Sequence, residues 1–391
     1  MPKSDPFIGL PEIYFANVDV TALQTAVIDG FLSAWEADTG EKLLLLPSDR
    51  RYNFLSSATA WLLGAYAVLD ASAKQNLIPY SQGGFLDNLA IFFNTTRLTA
   101  SSAVATLEFT LSLASAGAEV IPAGTQVASS SAAGVVFATD VDLTIPPTAL
   151  NGFVSATCTT SGIAGNGLVD LNNLVNWTGN FVVSVTNSEP SVGGAPAESD
   201  TNLRLRLLDA TDAYSPAGPK GRYKFYAESV SSAIGDVSVM GPEDGLSPGN
   251  VKVTILLQDG TFPNSAFLDT VYDALDTENI RDMCAYLTVT QPTGVAYSVA
   301  VRYWADQEAI NVPAIQTNVA NNVNSWITGN KLALGGAIIP SSLSASVMAG
   351  GASYCIVDSP PARIPLNLNQ VGVLVDDVQV LYQGLEQDSQ V

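Results

Sequence analysis

Ala105-Thr106-Leu107-Glu108-Phe109-Thr110-Leu111-Ser112-Leu113 is the stretch that decides the fold. Leu107, Phe109, Leu111 and Leu113 alternate with Thr106, Glu108, Thr110 and Ser112. A period of two puts apolar side chains on one face of a strand and polar ones on the other. One dry and one wet face mark a half-buried strand.

Upstream of this stretch the period is helical. Val20, Leu23, Val27, Phe31 and Trp35 recur at helical spacing behind Asp19, a residue suited to capping. Pro47 is expected to stop that segment and Ser48 to cap the next, which carries Leu55, Thr59, Leu62, Tyr66 and Leu69. Gly83-Gly84 should break the chain before a short amphipathic helix, Phe85–Phe93.

Downstream, strands are expected at Val135–Phe137, Val141–Ile145, Val154–Cys158 and Phe181–Val185, with a turn at Pro122-Ala123-Gly124 and a tight hairpin at Asn151-Gly152. After Gly193-Gly194-Ala195-Pro196, helical periodicity returns with Leu203, Leu207 and Ala210, then Tyr223, Tyr226, Ala227 and Val230. An α+β pattern follows. Strands around Val237, Val253 and Ala285–Thr290 bracket a helix carrying Phe267, Val271 and Leu275. The final part reads as one strand, Val295–Tyr303, then a helix carrying Val312, Ile315, Val319, Val323 and Trp326. A shorter helix at Ser342–Ala349 and strands at Tyr354–Val357 and Val371–Val375 complete it. The fold class is therefore multi-domain α+β. A helical N-terminal arm (1–98) precedes a β-rich domain (99–192) and a helical connector (193–234). An α+β module (235–292) and a C-terminal α+β module (293–391) follow.

Composition narrows the function. Hydrophobic residues are 47% of 391, enough for real cores, and charged residues only 14%. Sixteen basic against 37 acidic residues give a net charge of −21, which repels phosphate backbones and anionic membrane surfaces. There is no histidine, so Ser-His-Asp and Cys-His catalysis and imidazole metal sites are excluded. Cys158, Cys284 and Cys355 form no CxxC pair and read as reduced core residues. The N-terminus lacks an apolar signal core, and Leu43–Leu46 and Trp61–Leu69 are too short to span a bilayer; a soluble chain without membrane insertion is expected. No phosphate-binding loop, calcium-loop spacing or recognisable carboxylate pair appears, so neither catalysis nor a cofactor is expected.

Four groups of residues follow one another along the chain. The first is Gly84–Ala90 with Thr95-Thr96-Arg97. The second is Ala105–Leu111, Ile121–Val127 and Val136–Asp140. The third is Ala164-Gly165-Asn166-Gly167-Leu168, Gly193-Gly194-Ala195, Glu198-Ser199-Asp200 and Leu203-Arg204-Leu205-Arg206. The fourth is Gly249–Val253 with Ile255–Gly260. In this order they resemble the baseplate J-like family of contractile-tail proteins. Ser188–Val192 is longer than that pattern expects before the paired glycines. The residues also have physical jobs. Gly165 and Gly167 suit positive φ around Asn166, Ser199 or Asp200 can cap a helix, and Arg204 or Arg206 can pair with Glu198 or Asp200.

The resemblance implies a structural wedge protein of a baseplate, located in the tail of a virion or tail-like particle and assembled in the bacterial host cytoplasm. Its implied partners are a second copy, a smaller wedge protein, neighbouring wedges and the tail hub or sheath-initiating proteins, in a ring that rearranges on contraction. Leu23, Val27, Phe31 and Trp35 are the candidate bundle face toward a second copy or wedge partner. Asn318 and Asn322, on an almost uncharged helix side, are the candidate wedge-to-wedge contact. A particle-surface adhesin or carbohydrate-binding β-protein is the alternative.

Overall fold

The computed structural model describes residues 9–113, 117–177, 182–210, 220–277, 280–282, 284–306 and 311–385. Phe181, expected to open a strand, lies outside them. The chain divides into two compact units. One is helical and comprises residues up to Thr96 together with Asp200–Leu207; the other comprises Arg97–Ser199 and the chain from Leu208 onward.

In the helical unit, α1 (Val20–Thr39) starts where Asp19 accepts hydrogen bonds from the Thr21 and Ala22 amides at 2.8 and 3.0 Å. These are amides that a helix leaves without internal partners. It ends at Gly40, well before Pro47, because Gly40 takes the left-handed conformation (φ 73°) and returns its N–H to Glu36. Helix α2 (Arg50–Lys74) is capped by Asp49 rather than Ser48. In α3 (Gly83–Ile91) the two glycines open the helix instead of breaking the chain before it. The first eight residues of α4 (Asp200–Asp209) complete the unit. Its core is small: Leu86, Ala90, Leu203 and Leu207, with Phe93 against them. Helix α1 buries no residue and α2 buries only Leu55 and Thr59. By length and composition α2 is apolar enough to cross a membrane. The expectation from Trp61–Leu69 missed this because alanine and serine on either side extend a weakly apolar helix without breaking it.

The second unit begins with a β-domain of β1 (Ser102–Leu111), β2 (Glu119–Ile121), β3 (Gln126–Ser129), β4 (Val136–Thr139), β5 (Leu143–Ile145), β6 (Asn151–Ser161), β7 (Leu171–Leu174) and β8 (Val182–Asn187). Every second residue of β1 is buried, and Ala105, Leu107 and Phe109 are wholly so. Leu113 continues the sequence alternation but lies past the end of the strand, exposed. The six-stranded sheet runs β7-β3-β4-β6-β1-β8, and β2 pairs with β5 separately. Leu107, Phe109, Ile121, Val127, Phe137, Ile145 and Leu171 fill the core. Each fully buried side chain of this size stabilises by about 1.5–3 kcal/mol. Asn151-Gly152 is not a hairpin turn. Both residues lie in β6, paired with Thr110 and Phe109, and the turn sits at Pro146–Ala149, where Ala149 N–H bonds the Pro146 carbonyl. Glycine is needed at 152 for space: a β-carbon there would stand 2.9 Å from Ile145 Cγ1.

One end of this domain is fastened by Asp170. Its carboxylate accepts the hydroxyls of Ser129 and Ser130 and the Ser131 amide. Hydrogen bonds from Ser131, Ser130 and Ser129 hold its pKa down at about 2. A carboxylate with a lowered folded-state pKa contributes stability above its unfolded pKa, and loses it as pH falls through the folded value. Urea midpoints of the wild type should therefore drop more between pH 5 and pH 2, roughly the interval spanned by the two pKa values, than those of Asp170→Asn, with the two chains converging at the acid end. Parallel pH curves would contradict this.

The central module has α5 (Lys220–Glu228), β9 (Ile234–Met240), β10 (Asn250–Leu257), α6 (Ser265–Leu275) and β11 (Tyr286–Thr290). Strand β10 is antiparallel to β9 and parallel to β11. Parallel pairing requires a crossover, which α6 supplies. Val253, Ile255 and Leu257 pack with Phe267, Val271 and Leu275.

The last module holds β12 (Thr293–Tyr297), β13 (Ala300–Ala305), α7 (Val312–Lys331), β14 (Gly336–Ile338), α8 (Pro340–Ala349), β15 (Tyr354–Ser359), β16 (Ile364–Leu366), β17 (Gln370–Leu374) and β18 (Gln379–Leu385). The expected single strand Val295–Tyr303 is two strands in different sheets: β12 pairs with β17, while β13 lies between β15 and β18. Tyr297, Val299, Val301 and Tyr303 nonetheless share one core. The alternation was faithful to the buried face across the break and silent about the pairing partner. Of the three cysteines only Cys158 is buried; Cys355 is intermediate and Cys284 exposed. Cys284 lies just before β11, outside the strand.

Candidate functional site

Within the second unit, motif residues far apart in sequence meet at the seam between the β-domain and the central module. Gly165 lies where a β-carbon would stand 3.0 Å from both Ala103 Cβ and Cys158 Sγ. Of the two flanking glycines only Gly167 has positive φ, 73°. Ser191, wholly buried, donates its hydroxyl to the Gly165 carbonyl and accepts the Leu168 amide. Backbone bonds between Ser191 and Gly167 and Leu168 complete the clamp. The segment therefore enters the seam fully satisfied, as buried polar groups must be.

The paired glycines come next. Asn166 Nδ2 donates to the Gly194 carbonyl and Asn166 Oδ1 accepts the Gly194 amide, both at 2.8 Å. A β-carbon on Gly194 would stand 2.3 Å from the Gly162 carbonyl oxygen, and one on Gly193 would stand 2.5 Å from the Phe267 ring. Gly193 also has φ 92°, a conformation that favours glycine. On either side, Val192 pairs with Val104 and Ala195 with Ser101. Val192 and Ala195 lie in the core of the central module. Asn264, 6% exposed, donates to the Val104 carbonyl at 2.9 Å and caps α6 by accepting the Phe267 amide at 3.0 Å. One amide side chain thus joins β1 to α6. The two parts are thus hydrogen-bonded and closely packed at the seam.

The remaining motif charges hold backbone. Arg97 donates to the Glu198 carbonyl at 2.8 Å, and the Glu198 carboxylate accepts the Leu98 amide at 3.1 Å. In the helical unit, Arg204 donates to the carbonyls of Ile78 and Ser81, and Arg206 to that of Thr96. The Gly83 amide bonds Asp200. Charged donors to carbonyls make stronger bonds than neutral ones, and here they anchor the chain leaving α2.

The candidate interface residues lie elsewhere. Leu23, Val27, Phe31 and Trp35 are all half-buried. Arg51 of α2 stands 5.2 Å over the Trp35 ring, and Gln24 bonds Tyr52 and Ser56, so α2 covers part of that stripe. The larger apolar surface is on α2 itself, where Phe54, Trp61 and Val68 are 72%, 83% and 70% exposed. Their positions, 54, 61 and 68, are each seven apart, the spacing of a helix-packing seam. That signal was present in the sequence, hidden beside the parallel row Leu55, Leu62 and Leu69. Asn318 is exposed on α7. Asn322 is half-buried and donates to the Ser346 carbonyl of α8 at 3.1 Å. Among the described residues there is no group of three or more Cys, Asp or Glu side chains placed to hold a metal ion.

Comparison with known proteins agrees with the order of these parts. Residues 106–194 match the Baseplate J-like protein barrel domain, and residues 215–299 match the Baseplate J-like central domain. The paired glycines Gly193 and Gly194 thus close the first match, and Asn264 and Phe267 lie inside the second. A relative, Baseplate protein J of Escherichia phage P2, is 27% identical over 208 residues, covering 53% of this chain and 67% of that protein. A cryo-EM structure of the anti-feeding prophage baseplate, 6-fold symmetrised, includes a chain aligned over 95% of both chains at 13% identity and a TM-score of 0.37.

Proposed function

This chain belongs to the baseplate J-like family, and from that premise we propose that it is a structural component of a contractile-tail baseplate, a wedge subunit in the ring around the tail hub. The observation that carries the wedge reading is the helical unit. With only Leu55 and Thr59 buried, and Phe54, Trp61 and Val68 exposed at seven-residue spacing, α2 keeps an apolar face that α1 leaves uncovered. A second copy of the chain and a smaller wedge protein would supply the missing helices. The β-domain and central module, joined at the seam, would transmit displacement when the ring widens. A chain with this job needs no catalytic group, cofactor or nucleic-acid surface, and its net charge of −21 disfavours phosphate ligands.

The test is removal of the chain from its source particle, followed by electron microscopy of lysates. Tails without baseplates, or no assembled tails, are the expected result. Complete, contractile particles without this chain would overturn the reading.

The uncharged side of α7 is the proposed contact between neighbouring wedges. Asn318→Lys changes an exposed position and should alter stability by less than about 0.5 kcal/mol while impairing ring assembly. Asn322→Lys removes the bond to Ser346 and should cost about 1 kcal/mol in addition. Thermal melts of the chain and micrographs of rings separate the two effects. Normal rings from Asn318→Lys would make this side of α7 ordinary surface.

A further inference from the structure

Beside the seam lies a pocket of about 460 Å³. Pro190, Val192, Phe262 and Pro263 line it, together with the exposed acids Glu189 and Asp259. No lysine or arginine is among the lining residues. We propose that this pocket receives an arginine or lysine side chain carried by an extended segment of another baseplate protein. The inference rests on the structural reading above and adds the chemistry of one contact.

Three observations select a cationic occupant. First, the carboxylates are under-used. Glu189 Oε2 accepts only long bonds from Ser265, 3.3 Å from its amide and 3.4 Å from its hydroxyl. Asp259 bonds through Oδ1 alone, to the amide and hydroxyl of Thr261. Neither has an ion-pair partner among the described residues. Second, the two acids would repel an anionic ligand, and a purely apolar one would leave them facing a desolvated surface. Third, the apolar lining fits the rest of a long basic side chain. Its methylene stem can lie along Pro190 and Pro263, and its charge can approach the Phe262 ring and the carboxylates. The volume exceeds what one side chain fills, leaving room for the backbone that carries it.

The pocket is also well placed to read the joint. Its walls come from both sides of the seam: Asn166, Gly167 and Val192 from the segment that locks the β-domain, and Phe262 and Asn264 from the turn leading into α6. An occupant would bear on both parts together, so its fit would depend on the seam being closed.

The experiment places a photo-crosslinking amino acid at Gln291, an exposed residue on the pocket wall, and a second one at Trp61 as a control. Both full-length chains are incorporated into assembled particles, irradiated and analysed by mass spectrometry. From Gln291, a crosslinked peptide of a different protein containing arginine or lysine is expected. Asp259→Lys should lower that yield about tenfold or more, since a like charge in the contact is strongly unfavourable; Asp259→Asn, whose amide oxygen can still accept from Thr261, controls for the lost turn bonds and should melt like the wild type. A crosslinked peptide with no basic residue, crosslinks only within the chain, or a yield indifferent to Asp259→Lys would overturn the proposal. If Trp61 crosslinks to another chain while Gln291 does not, the pocket proposal fails and the structural reading stands. Absence of the chain from particles defeats both.

Discussion

Gly194→Ala is expected to lower the stability of the second unit by about 3 kcal/mol or more, because overpacking alone costs about 1–3 kcal/mol and lost bonds add to it. The added methyl would meet the Gly162 carbonyl at 2.3 Å and Asn166 Oδ1 at 2.8 Å. Neither can retreat cheaply. Gly162 is backbone, its amide bonded to the Ser101 carbonyl. Asn166 is pinned by its two bonds to Gly194 itself. The damage should therefore appear first as separation of the β-domain from the central module, read as faster amide exchange at Gly194, Val104 and Ala195. Gly64→Ala is the control. It lies inside α2 with open space around it, and alanine there should stabilise by about 0.5–1 kcal/mol. If Gly194→Ala melts like the wild type, the paired glycines are not a packing requirement of the seam.

The second large effect concerns assembly. Replacing Phe54, Trp61 and Val68 together by glutamine should leave the isolated chain folded, since exposed substitutions each change stability by about 0.5 kcal/mol or less. The same triple change should weaken association with the helical partner by about a thousandfold or more, because a buried aromatic anchor typically contributes about 2 kcal/mol or more to an interface. Co-purification from cells making all the baseplate proteins measures this directly. Leu23, Val27, Phe31 and Trp35 should show smaller losses in the same assay, because α2 already covers part of them. A triple variant that co-purifies like the wild type would mean that this ridge meets no partner. Leu55→Ala makes a useful contrast: Leu55 is buried, so its loss should act on folding as well as on association.

Local structure was written legibly in the sequence. The alternation in Ala105–Leu111 gave both the strand and its buried face, Asp19 gave the start of α1, and the stripe through Val319 and Val323 gave the core side of α7. Each of these depends on a repeat or a cap spanning a few residues, where side-chain direction follows from backbone geometry alone. Partners were not legible. Val295–Tyr303 kept one period yet split between two sheets, and Asn151-Gly152 had the composition of a turn yet opens β6, because both residues pair with β1. The seam was visible only as scattered motifs. Asn166 and Gly194 are brought to hydrogen-bond distance by the β-domain closing on itself, and Asn264 reaches Val104 only once α6 has packed. Period and capping are local, so the sequence by itself determined which faces are apolar and where several elements begin. Pairing, close approach and coverage depend on what else occupies the space, so the tertiary structure alone decided that Gly194 has no room for a side chain, that Asn322 belongs to the fold, and that Trp61 is left facing outward.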